Sequence, residues 1–313
     1  MANTEILNKA KGSLVGLAIG DALGTTLEFS HRKRAKKTQI EMVGNGPFSL
    51  PAGYWTDDTS MALCLADSLI EKGFDPNDQM KRYLDWYENG YRSSTGKCFD
   101  IGRTTLRSLA LYKKFSDPAG GIDGDLDAGN GSIMRLAPVI IWALNYGLDS
   151  TVEYAMASSK TTHGNIECLS ACAYLAEIIF NLISGKTKEE SLLASSLYSK
   201  NAAGSILNFR LLNPDTAPNS GYVIDTLKSA LWAFYTTTTF ENGIIKSIQL
   251  GGDADTIGAV YGQIAGAYYG LNNIPIKWRQ NLYLYDEITE IGKKLLNKKI
   301  SEELCIWNLI LSH

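Results

Sequence analysis

Two runs of glycine at every fourth position constrain the fold of this chain more than any other feature of its sequence. They are Gly12, Gly16, Gly20 and Gly24 near the start, and Gly258, Gly262, Gly266 and Gly270 near the end. A glycine inside a helix costs up to ~1 kcal/mol relative to alanine, so such runs need a compensating contact. Residues four apart share one face of a helix, and each run would form a flat track for another backbone. The spacing predicts two central helices that lie close together and unite the two ends of the chain.

A membrane dimerisation motif is the other structure that this spacing can produce. Both runs are short and lie beside acidic residues, Asp21 and Asp255. The longest apolar stretches are interrupted by Arg135 and Glu177, so neither reaches the ~20 uncharged residues of a spanning helix. We therefore expect no membrane segment. The N-terminus has no basic stretch followed by an apolar one, which predicts that no signal peptide is present.

Apolar residues elsewhere repeat mostly at helical spacing, which predicts an all-α fold in one domain over residues 1–313. The chain has 313 residues, of which 45% are hydrophobic, enough for a large core. Alternating runs bounded by hairpin turns are scarce, so strands would be minor. Helices are expected around residues 14–18 and 61–70, and over 78–90, 101–114, 131–146, 151–159, 164–184, 188–199, 222–236, 254–270, 279–298 and 301–311.

Charge and cysteine content limit the classes of function and the cellular compartments that are expected for this chain. The chain has 30 Lys and Arg residues against 33 Asp and Glu, a net charge of −3, which disfavours nucleic acid as a partner. Five cysteines without a CxxC pair suit a reducing compartment, so we expect a cytoplasmic protein. Nothing in the sequence demands more than a monomer. The basic run over residues 31–37 is more typical of a solvated loop or helix face than of a phosphate or partner patch.

Two acidic clusters stand directly before predicted helices. The first contains Thr56, Asp57 and Asp58, and the second contains Asp253, Asp255 and Thr256. Helix capping explains either cluster alone, because Asp and Thr are good N-cap residues and the helix dipole favours carboxylates. Together they offer four carboxylates, which repel one another unless cations hold them or some are protonated. Oxygen ligands select hard cations, so convergence of the clusters predicts a site for Mg²⁺ or Mn²⁺.

Two further motifs precede predicted helices. The loop of Gly129, Asn130, Gly131 and Ser132 would leave backbone N–H groups free to cradle a phosphate, although a plain Asn-Gly turn also explains it. His163 follows two threonines at the start of a long apolar helix. A lone histidine there is more often structural than functional, but His163 is the best placed of the three histidines.

These residues, in this order, resemble the ADP-ribosylglycohydrolase family, which includes the dinitrogenase-reductase-activating glycohydrolases and the ADP-ribosylarginine hydrolases. The motifs are Gly20-Asp21-Ala22-Leu23-Gly24 with Glu28, Thr56-Asp57-Asp58-Thr59, Phe99-Asp100-Ile101-Gly102, Gly129-Asn130-Gly131-Ser132 with Met134-Arg135, Thr162-His163, Gly221-Tyr222-Val223 and Gly251-Gly252-Asp253-Ala254-Asp255-Thr256. Together they cover most of the chain. The resemblance implies a compact bundle of orthogonal helices with a two-metal centre in a cleft.

The resemblance also implies roles for individual residues. Two divalent cations, Mg²⁺ or Mn²⁺, would be held by Thr56, Asp57, Asp58, Asp253, Asp255 and Thr256, with Asp255 touching both. The diphosphate and ribose would be cradled by the segment of Phe99, Asp100 and Gly102 and by the loop of Gly129, Asn130, Gly131 and Ser132. His163 would contact the ADP-ribose, and Tyr222 and Glu28 would stand at the cleft edge. Asp125 or Asp127 would supply a further functional acid.

The implied activity is hydrolysis of the bond that joins C1″ of ADP-ribose to a side chain, so the partner would be an ADP-ribosylated protein. The candidate catalytic residues are Asp57, Asp58, Asp255 and Glu28, and either Glu28 or Asp57 would take the proton of the attacking water. The stretch over residues 20–29 is closer to arginine-type members, with a serine or O-acyl linkage as the alternative. Composition near the motifs suggests a guanidinium-binding mouth lined by Glu28, Asp21, Asp100 and Trp55 or Tyr91. A non-catalytic ADP-ribose-binding or structural protein is the alternative of another class.

Overall fold

The computed structural model describes residues 2–124, 126–193 and 206–298, and this part of the chain contains fourteen α-helices and no β-strand. Short 3₁₀ helices cover Thr25–Leu27, Leu144–Tyr146, Leu207–Leu211 and Leu271–Asn273. The α-helices are α1 (Ala2–Gly24), α2 (Arg32–Ala35), α3 (Asp57–Lys72), α4 (Pro76–Asn89), α5 (Arg103–Phe115), α6 (Ala137–Ala143), α7 (Leu148–Lys160), α8 (Ile166–Ile183), α9 (Lys188–Ser191), α10 (Val223–Tyr235), α11 (Phe240–Ile248), α12 (Ala254–Tyr269), α13 (Ile276–Asn281) and α14 (Tyr285–Asn297). The predicted all-α class is confirmed.

Helices α1 and α12 form the centre of the fold and pack with their glycine faces in contact. A Cβ atom placed on Gly16 would overlap the carbonyl group of Gly262, and one placed on Gly20 would overlap that of Gly258. The reverse also holds, since a side chain on Gly262 would overlap the Gly16 carbonyl group. The prediction from the glycine spacing is therefore confirmed. We call the eight glycines of the two runs the glycine seam.

The order of these contacts makes the two helices antiparallel, so the C-terminal end of α1 lies beside the N-terminal end of α12. Gly24, which ends α1, lies against the backbone of Ala254 and Asp255. Further along the pair, the Ser13 hydroxyl donates a hydrogen bond to the Gln263 carbonyl oxygen at 3.0 Å. Acidic residues just beyond the end of α1 are thereby brought next to those at the start of α12.

The remaining helices surround this pair and bury one continuous apolar core. Helices α8, α10 and α11 pack against α12, and α14 packs against α1. Helix α8 is the one helix of the described residues that is long and apolar enough to cross a membrane. Most of its residues are buried inside the fold, which is the environment of a core helix.

Three of the predicted helices were wrong in their bounds. The helix predicted over 131–146 begins only at Ala137, because the Asn130 carbonyl oxygen accepts hydrogen bonds from the N–H groups of Ile133 and Met134 and closes a turn. The helix predicted over 279–298 is two helices, α13 and α14, and Leu284 between them has a left-handed backbone (φ 52°). The helix predicted over 188–199 ends at Ser191, and its residues 194–199 lie outside the described residues, as does the whole helix predicted over 301–311.

Two isolated β-bridges hold loops that carry predicted site residues. Gly129 is bridged to Tyr222, and Ile122 is bridged to His163. The Asn130 N–H group also donates to the Gly221 carbonyl oxygen at 3.1 Å. The segments before α6, α8 and α10 are thus joined into one platform.

Candidate active site

Buried carboxylates from three parts of the chain meet where α1 ends and α12 begins. We call them the carboxylate centre: Asp21, Glu28, Asp57, Asp58, Asp253 and Asp255. Most of them are buried, and Asp253 is half-buried. The structure therefore brings together the two acidic clusters that the sequence places almost two hundred residues apart.

Glu28 caps helix α12 from the end of α1. One of its carboxylate oxygens, Oε2, accepts hydrogen bonds from the N–H groups of Ala254 at 2.7 Å and Asp255 at 3.4 Å. The N-terminus of a helix leaves such groups unpaired and favours negative charge. This contact fixes Glu28 beside Asp255, and both side chains line the same cleft.

Asp21 holds the start of α3 against α1. One carboxylate oxygen accepts from the Thr56 N–H group and hydroxyl, both at 2.9 Å. The other accepts from the Thr59 N–H group at 3.0 Å and the Thr59 hydroxyl at 2.7 Å. These four bonds use the roughly four acceptor sites of a carboxylate. Asp21 is fully buried, so its predicted place at a guanidinium-binding mouth was wrong.

Oxygen atoms of the carboxylate centre form two overlapping groups with the spacing of metal ligands. One oxygen from each of Asp21, Asp58 and Asp255 lies within 4.8 Å of the other two. The same holds for Glu28, Asp253 and Asp255. Asp255 belongs to both groups, which is the arrangement needed for a residue that touches two ions.

The donor set fits hard divalent cations. Oδ1 of Asp58 is buried and has no hydrogen-bond partner among the described residues, a state that is unfavourable unless a cation or a proton satisfies the atom. The Thr56 hydroxyl lies 3.2 Å from an Asp58 oxygen and 3.4 Å from an Asp255 oxygen. All of these atoms are oxygens, which Mg²⁺ and Mn²⁺ prefer.

Burial raises the pKa of every carboxyl group in the centre, and repulsion from neighbouring acids adds to it for Glu28, Asp57, Asp58 and Asp255. Burial raises the pKa of Glu28 to about 7, and repulsion from Asp253 adds to it. Burial, followed by repulsion from Glu28, raises the pKa of the neighbouring Asp100 to about 8. The pKa of Asp57 is raised well above its ordinary value by burial and then by Asp58. A bound divalent cation would oppose these effects, because it favours the charged form of each carboxylate.

The loop of Gly129, Asn130, Gly131 and Ser132 is tied directly to the carboxylate centre. The Asn130 side-chain amide donates to Oδ2 of Asp253 at 2.8 Å and to the Thr226 hydroxyl at 2.9 Å. Ser132 faces the core instead, where its hydroxyl oxygen lies 3.4 Å from the Cys172 sulfur. The three residues before Ser132 line the cleft, and Ser132 does not.

His163 lies beneath this loop in its neutral form. Burial lowers its pKa to about 3, and the positive charge of Arg135 adds to the effect. Its Nδ1 atom lies 2.8 Å from the Thr162 hydroxyl. Position 131 requires glycine, because a Cβ atom there would lie 2.8 Å from the His163 ring. Arg135 is fully buried and donates to the Gly131 carbonyl oxygen at 2.6 Å and to the Thr162 hydroxyl at 2.7 Å, so it binds the loop to the His163 segment.

The N-terminus of α5 also lines the cleft. Gly102 is its N-cap residue, and this end has no side-chain cap in the described structure. Arg103 is 71% exposed and donates to the Leu126 carbonyl oxygen at 3.1 Å. Arg107 pairs with Asp127 at 2.7 Å. Unpaired N–H groups and a guanidinium make this helix end suited to an anion. Of the two residues expected to supply a further acid, Asp127 is paired with arginine and Asp125 lies outside the described residues.

The carboxylate centre and the N-terminus of α5 line one cleft of about 670 Å³. Thr56 and Asp58 lie buried beneath it. Phe99 packs its ring against Phe48, with centroids 5.4 Å apart, and does not line the cleft. The predicted site residues that do line it are Glu28, Asp57, Asp100, Gly102, Gly129, Asn130, Gly131, His163, Tyr222, Asp253, Asp255 and Thr256.

The rim of the cleft agrees only in part with the sequence analysis. Tyr222 is 37% exposed at the edge, and its hydroxyl donates to Glu167 at 2.5 Å. Glu28 and Asp100 line the cleft, as expected of a guanidinium-binding mouth. Trp55 is instead buried, and the Tyr91 hydroxyl donates to Asp67 at 2.7 Å. The aromatic contribution expected from Trp55 or Tyr91 was therefore wrong.

Three charged residues shape the site in ways that the sequence analysis did not foresee. Asp21 positions α3, Arg135 joins two loops, and Arg103 stands at the anion end. Asp21 and Arg135 do carry a signal, since each is a charge within an apolar stretch that the structure buries completely. The only sequence signal for Arg103 is its position after Gly102 at the start of a predicted helix.

Comparison with known proteins gives consistent matches over almost the whole chain. The family model described as ADP-ribosylglycohydrolase matches residues 2–304. A relative from Serratia proteamaculans, described as ADP-ribosylarginine hydrolase Tri1, is 41% identical over 301 residues, which are 93% of this chain and 80% of the relative. One from Rhodospirillum rubrum, described as ADP-ribosyl-[dinitrogen reductase] glycohydrolase, is 32% identical over 287 residues, 90% of this chain and 92% of the relative. A solved structure described as an ADP-ribosylglycohydrolase-related protein complex is 40% identical with a TM-score of 0.80, and the match covers 94% of this chain and 98% of that one.

Proposed function

The chain belongs to the ADP-ribosylglycohydrolase family, and we propose that it hydrolyses the bond between ADP-ribose and an arginine side chain of a modified protein. At the coarser level it is a glycosidase-type ADP-ribosyl hydrolase. The observation that carries the proposal is that the carboxylate centre and the uncapped N-terminus of α5 line the same cleft; we call them its carboxylate end and its anion-binding end. A substrate with a diphosphate at one end and a sugar that becomes cationic at the other fits this division.

The anion-binding end suits the diphosphate. The unpaired N–H groups at the start of α5 point to the region that Gly102 leaves open, because no atom of the described residues lies within 4 Å of the place of its missing side chain. Arg103 stands beside them with its guanidinium largely exposed. His163 is neutral and lines the same cleft, so it would contact ADP-ribose by hydrogen bonding and not by charge.

The carboxylate end suits two divalent cations, Mg²⁺ or Mn²⁺. We assign their ligands to Thr56, Asp57, Asp58, Asp253, Asp255 and Thr256. Asp21 already accepts four hydrogen bonds, so we assign it to positioning α3 and not to the ligand set. When bound, the cations supply orientation of the ribose hydroxyls and lower the pKa of a water from 15.7 towards roughly 7–9.

Side chains of this chain supply the remaining chemistry. Cleavage at C1″ passes through an oxocarbenium-like state, and the neighbouring carboxylates make a positive sugar more favourable. The proton of the attacking water goes to Glu28 or Asp57, each of which lines the cleft and has a raised pKa. Comparing Glu28→Gln with Asp57→Asn separates them, since only loss of the base removes the fall in rate on the acidic side of the pH–rate profile.

The leaving group supports arginine as the acceptor. An arginine guanidine departs protonated, so negative charge beside its path stabilises it. Glu28 and Asp100 line the cleft and provide that charge when bound cations keep them ionised. A serine acceptor leaves as a neutral hydroxyl and gains less from these acids.

The test uses matched peptides that carry ADP-ribosyl-arginine or ADP-ribosyl-serine, with Mg²⁺ or Mn²⁺ and with EDTA. We expect ADP-ribose to be released from the arginine peptide and the release to stop with EDTA. Release from serine but not from arginine would reverse the acceptor. Binding of ADP-ribose without hydrolysis of either peptide would instead indicate a non-catalytic member of the family.

A further inference from the structure

We propose that the cleft continues into a docking surface for the polypeptide that carries the modified side chain. We call this surface the aromatic lip and define it as Phe29, Phe48 and Phe99. The inference rests on the proposed function and specifies on which side of the cleft the protein substrate lies. The expected partner is a polypeptide that has apolar residues next to a basic residue.

The three rings form a row at the carboxylate end of the cleft. The centroids of Phe29 and Phe48 are 6.2 Å apart with the rings edge to face, and those of Phe48 and Phe99 are 5.4 Å apart. Phe29 is 68% exposed and lines the cleft. Phe29 directly follows Glu28, and Phe99 directly precedes Asp100, so the row flanks two acids that line the cleft.

The backbone at the lip adopts conformations that are costly for residues other than glycine. Phe29 (φ 58°) and Asp100 (φ 59°) both lie in the left-handed region, which costs of order 1–3 kcal/mol per residue. The Phe29 N–H group donates to the Gly252 carbonyl oxygen at 2.7 Å, and the Gly252 N–H group donates to the Ser30 carbonyl oxygen at 3.0 Å. The loop that carries Asp253 thus holds Phe29 in place. An exposed ring offsets little of this cost by burial, whereas strained residues of this kind cluster at binding sites.

A second depression adjoins the cleft beside Phe29. It measures about 670 Å³, and Glu28 and Phe29 line both it and the cleft. Val43, which is 63% exposed, and Pro47 lie along it among mostly polar side chains, which include Glu41 and Arg34. A chain that leaves the cleft past Phe29 would therefore meet a surface of mixed apolar and polar groups, the composition typical of a protein–protein contact.

The occupant that fits this path is the acceptor polypeptide. The N-terminus of α5 binds the diphosphate in the proposed function, so the acceptor lies on the side of Glu28 and Asp100, next to the lip. When bound cations hold them ionised, Glu28 and Asp100 carry negative charge that complements a guanidinium. The lip is continuous with the cleft, so whatever binds it also lies beside the bond to be cleaved. A second copy of this chain seated there would instead block the cleft.

The experiment compares Phe29→Asn with Phe115→Asn on two substrates. Asparagine tolerates the left-handed backbone of position 29. Phe115 is 63% exposed, does not line the cleft and provides the matched control. The substrates are a peptide with ADP-ribosyl-arginine between leucine and valine residues, and ADP-ribosyl-agmatine, which has the guanidine but no polypeptide. We expect Phe29→Asn to raise KM for the peptide at least about fivefold, with kcat and the agmatine substrate changed less than twofold, and Phe115→Asn to change neither.

Each other outcome overturns a defined part of the reasoning. Equal losses on both substrates would show that Phe29 serves the site geometry, and an unchanged KM for the peptide would show that the lip binds nothing. A wild-type dimer in light scattering that Phe29→Asn dissociates without a change in KM would assign the lip to self-association. Wild-type protein inactive on both substrates would refute the proposed function itself. Phe48→Ala, in the middle of the row, repeats the test if Phe29→Asn does not fold.

Discussion

The glycine seam and the carboxylate centre are built on the same two helices, yet they affect stability with opposite signs. In the seam, backbones touch because no side chain separates Gly16 from Gly262, and the contact gains dispersion energy and buries apolar surface. In the centre, acids such as Asp58 and Asp255 are buried close together, and their raised pKa values show that folding disfavours their charged forms.

This difference indicates that the seam holds an arrangement that the carboxylate centre alone would not adopt. Gly24 lies against Ala254 and Asp255, so the last step of the seam is also the first contact of the centre. A cation bound at the proposed site would restore the free energy lost by gathering acids, because a ligand that binds only the folded state stabilises it. The packing of the glycine seam thus stabilises the fold enough to keep the acids of the carboxylate centre close together.

The largest effect is expected from removing Asp255, which belongs to both groups of metal-spaced oxygens. Asp255→Ala should reduce hydrolysis of ADP-ribosyl-arginine at least about 1,000-fold, or roughly 4 kcal/mol of transition-state stabilisation. The metal-free variant should unfold at the same temperature as wild type or higher, because a repelling buried carboxylate is gone. Activity assays and thermal unfolding with EDTA measure the two effects.

Asp286→Ala is the matched control for this prediction. Asp286 also lies in the first turn of a helix, α14, but it is exposed and does not line the cleft. It should change hydrolysis less than twofold. Asp255→Ala protein that still bound two ions and hydrolysed its substrate at the wild-type rate would refute the proposed centre.

A smaller effect, on stability alone, is expected in the seam. Gly262→Leu should lower the free energy of unfolding by at least about 1–3 kcal/mol, because its side chain would have to displace the Gly16 backbone. Gly262→Ala should act in the same direction. Gly120→Ala is the control, since its nearest neighbours lie 3.4 Å away, an ordinary contact. Urea unfolding of the three variants decides, and an unchanged Gly262→Leu protein would contradict the packing.

The two regions also differ in how far the sequence predicted them. The seam follows from spacing alone, because one contact per helical turn depends only on which positions lack a side chain. Convergence of Asp57 with Asp253 could be expected from the seam and the two motifs. The role of each acid could not be predicted, because it depends on distances between remote segments. The oxygens of Asp21, for example, already accept hydrogen bonds from Thr56 and Thr59. The turn that delays α6 depends in the same way on how Asn130 is held against Asp253.

The stability of the carboxylate centre, unlike that of the glycine seam, should depend on pH and on metal. Folding raises the pKa of Glu28 to about 7 and of Asp100 to about 8, so the stabilisation by their protonated forms is present at low pH and lost as pH rises through these values. Metal-free protein should lose at most about 1.4 kcal/mol per pH unit for each group, from pH 4.5 to about 7 for Glu28 and from pH 3.8 to about 8 for Asp100. His163, whose pKa is lowered to about 3, acts oppositely, but only below about pH 6.5.

The stabilisation by Mg²⁺ or Mn²⁺ should therefore be larger at pH 8.5 than at pH 6.5. Thermal unfolding with EDTA and with excess metal at the two pH values measures it. Asp58→Asn should reduce the difference, because it removes one of the raised carboxyl groups. A metal effect independent of pH would show that the ions do not bind at these carboxylates.

The smallest effects come from removing one buried hydroxyl in each region. Ser13→Ala removes the hydrogen bond to the Gln263 carbonyl oxygen in the seam, and Thr59→Val removes the hydroxyl bond to Asp21 in the centre. Each should lower the free energy of unfolding by about 1 kcal/mol. Only Thr59→Val should also weaken hydrolysis and metal binding, because it loosens the start of α3, where Asp57 and Asp58 lie. Urea unfolding and activity of both variants test this, and a loss of activity in Ser13→Ala equal to that in Thr59→Val would mean that the seam shapes the chemistry directly, in addition to holding the helices together.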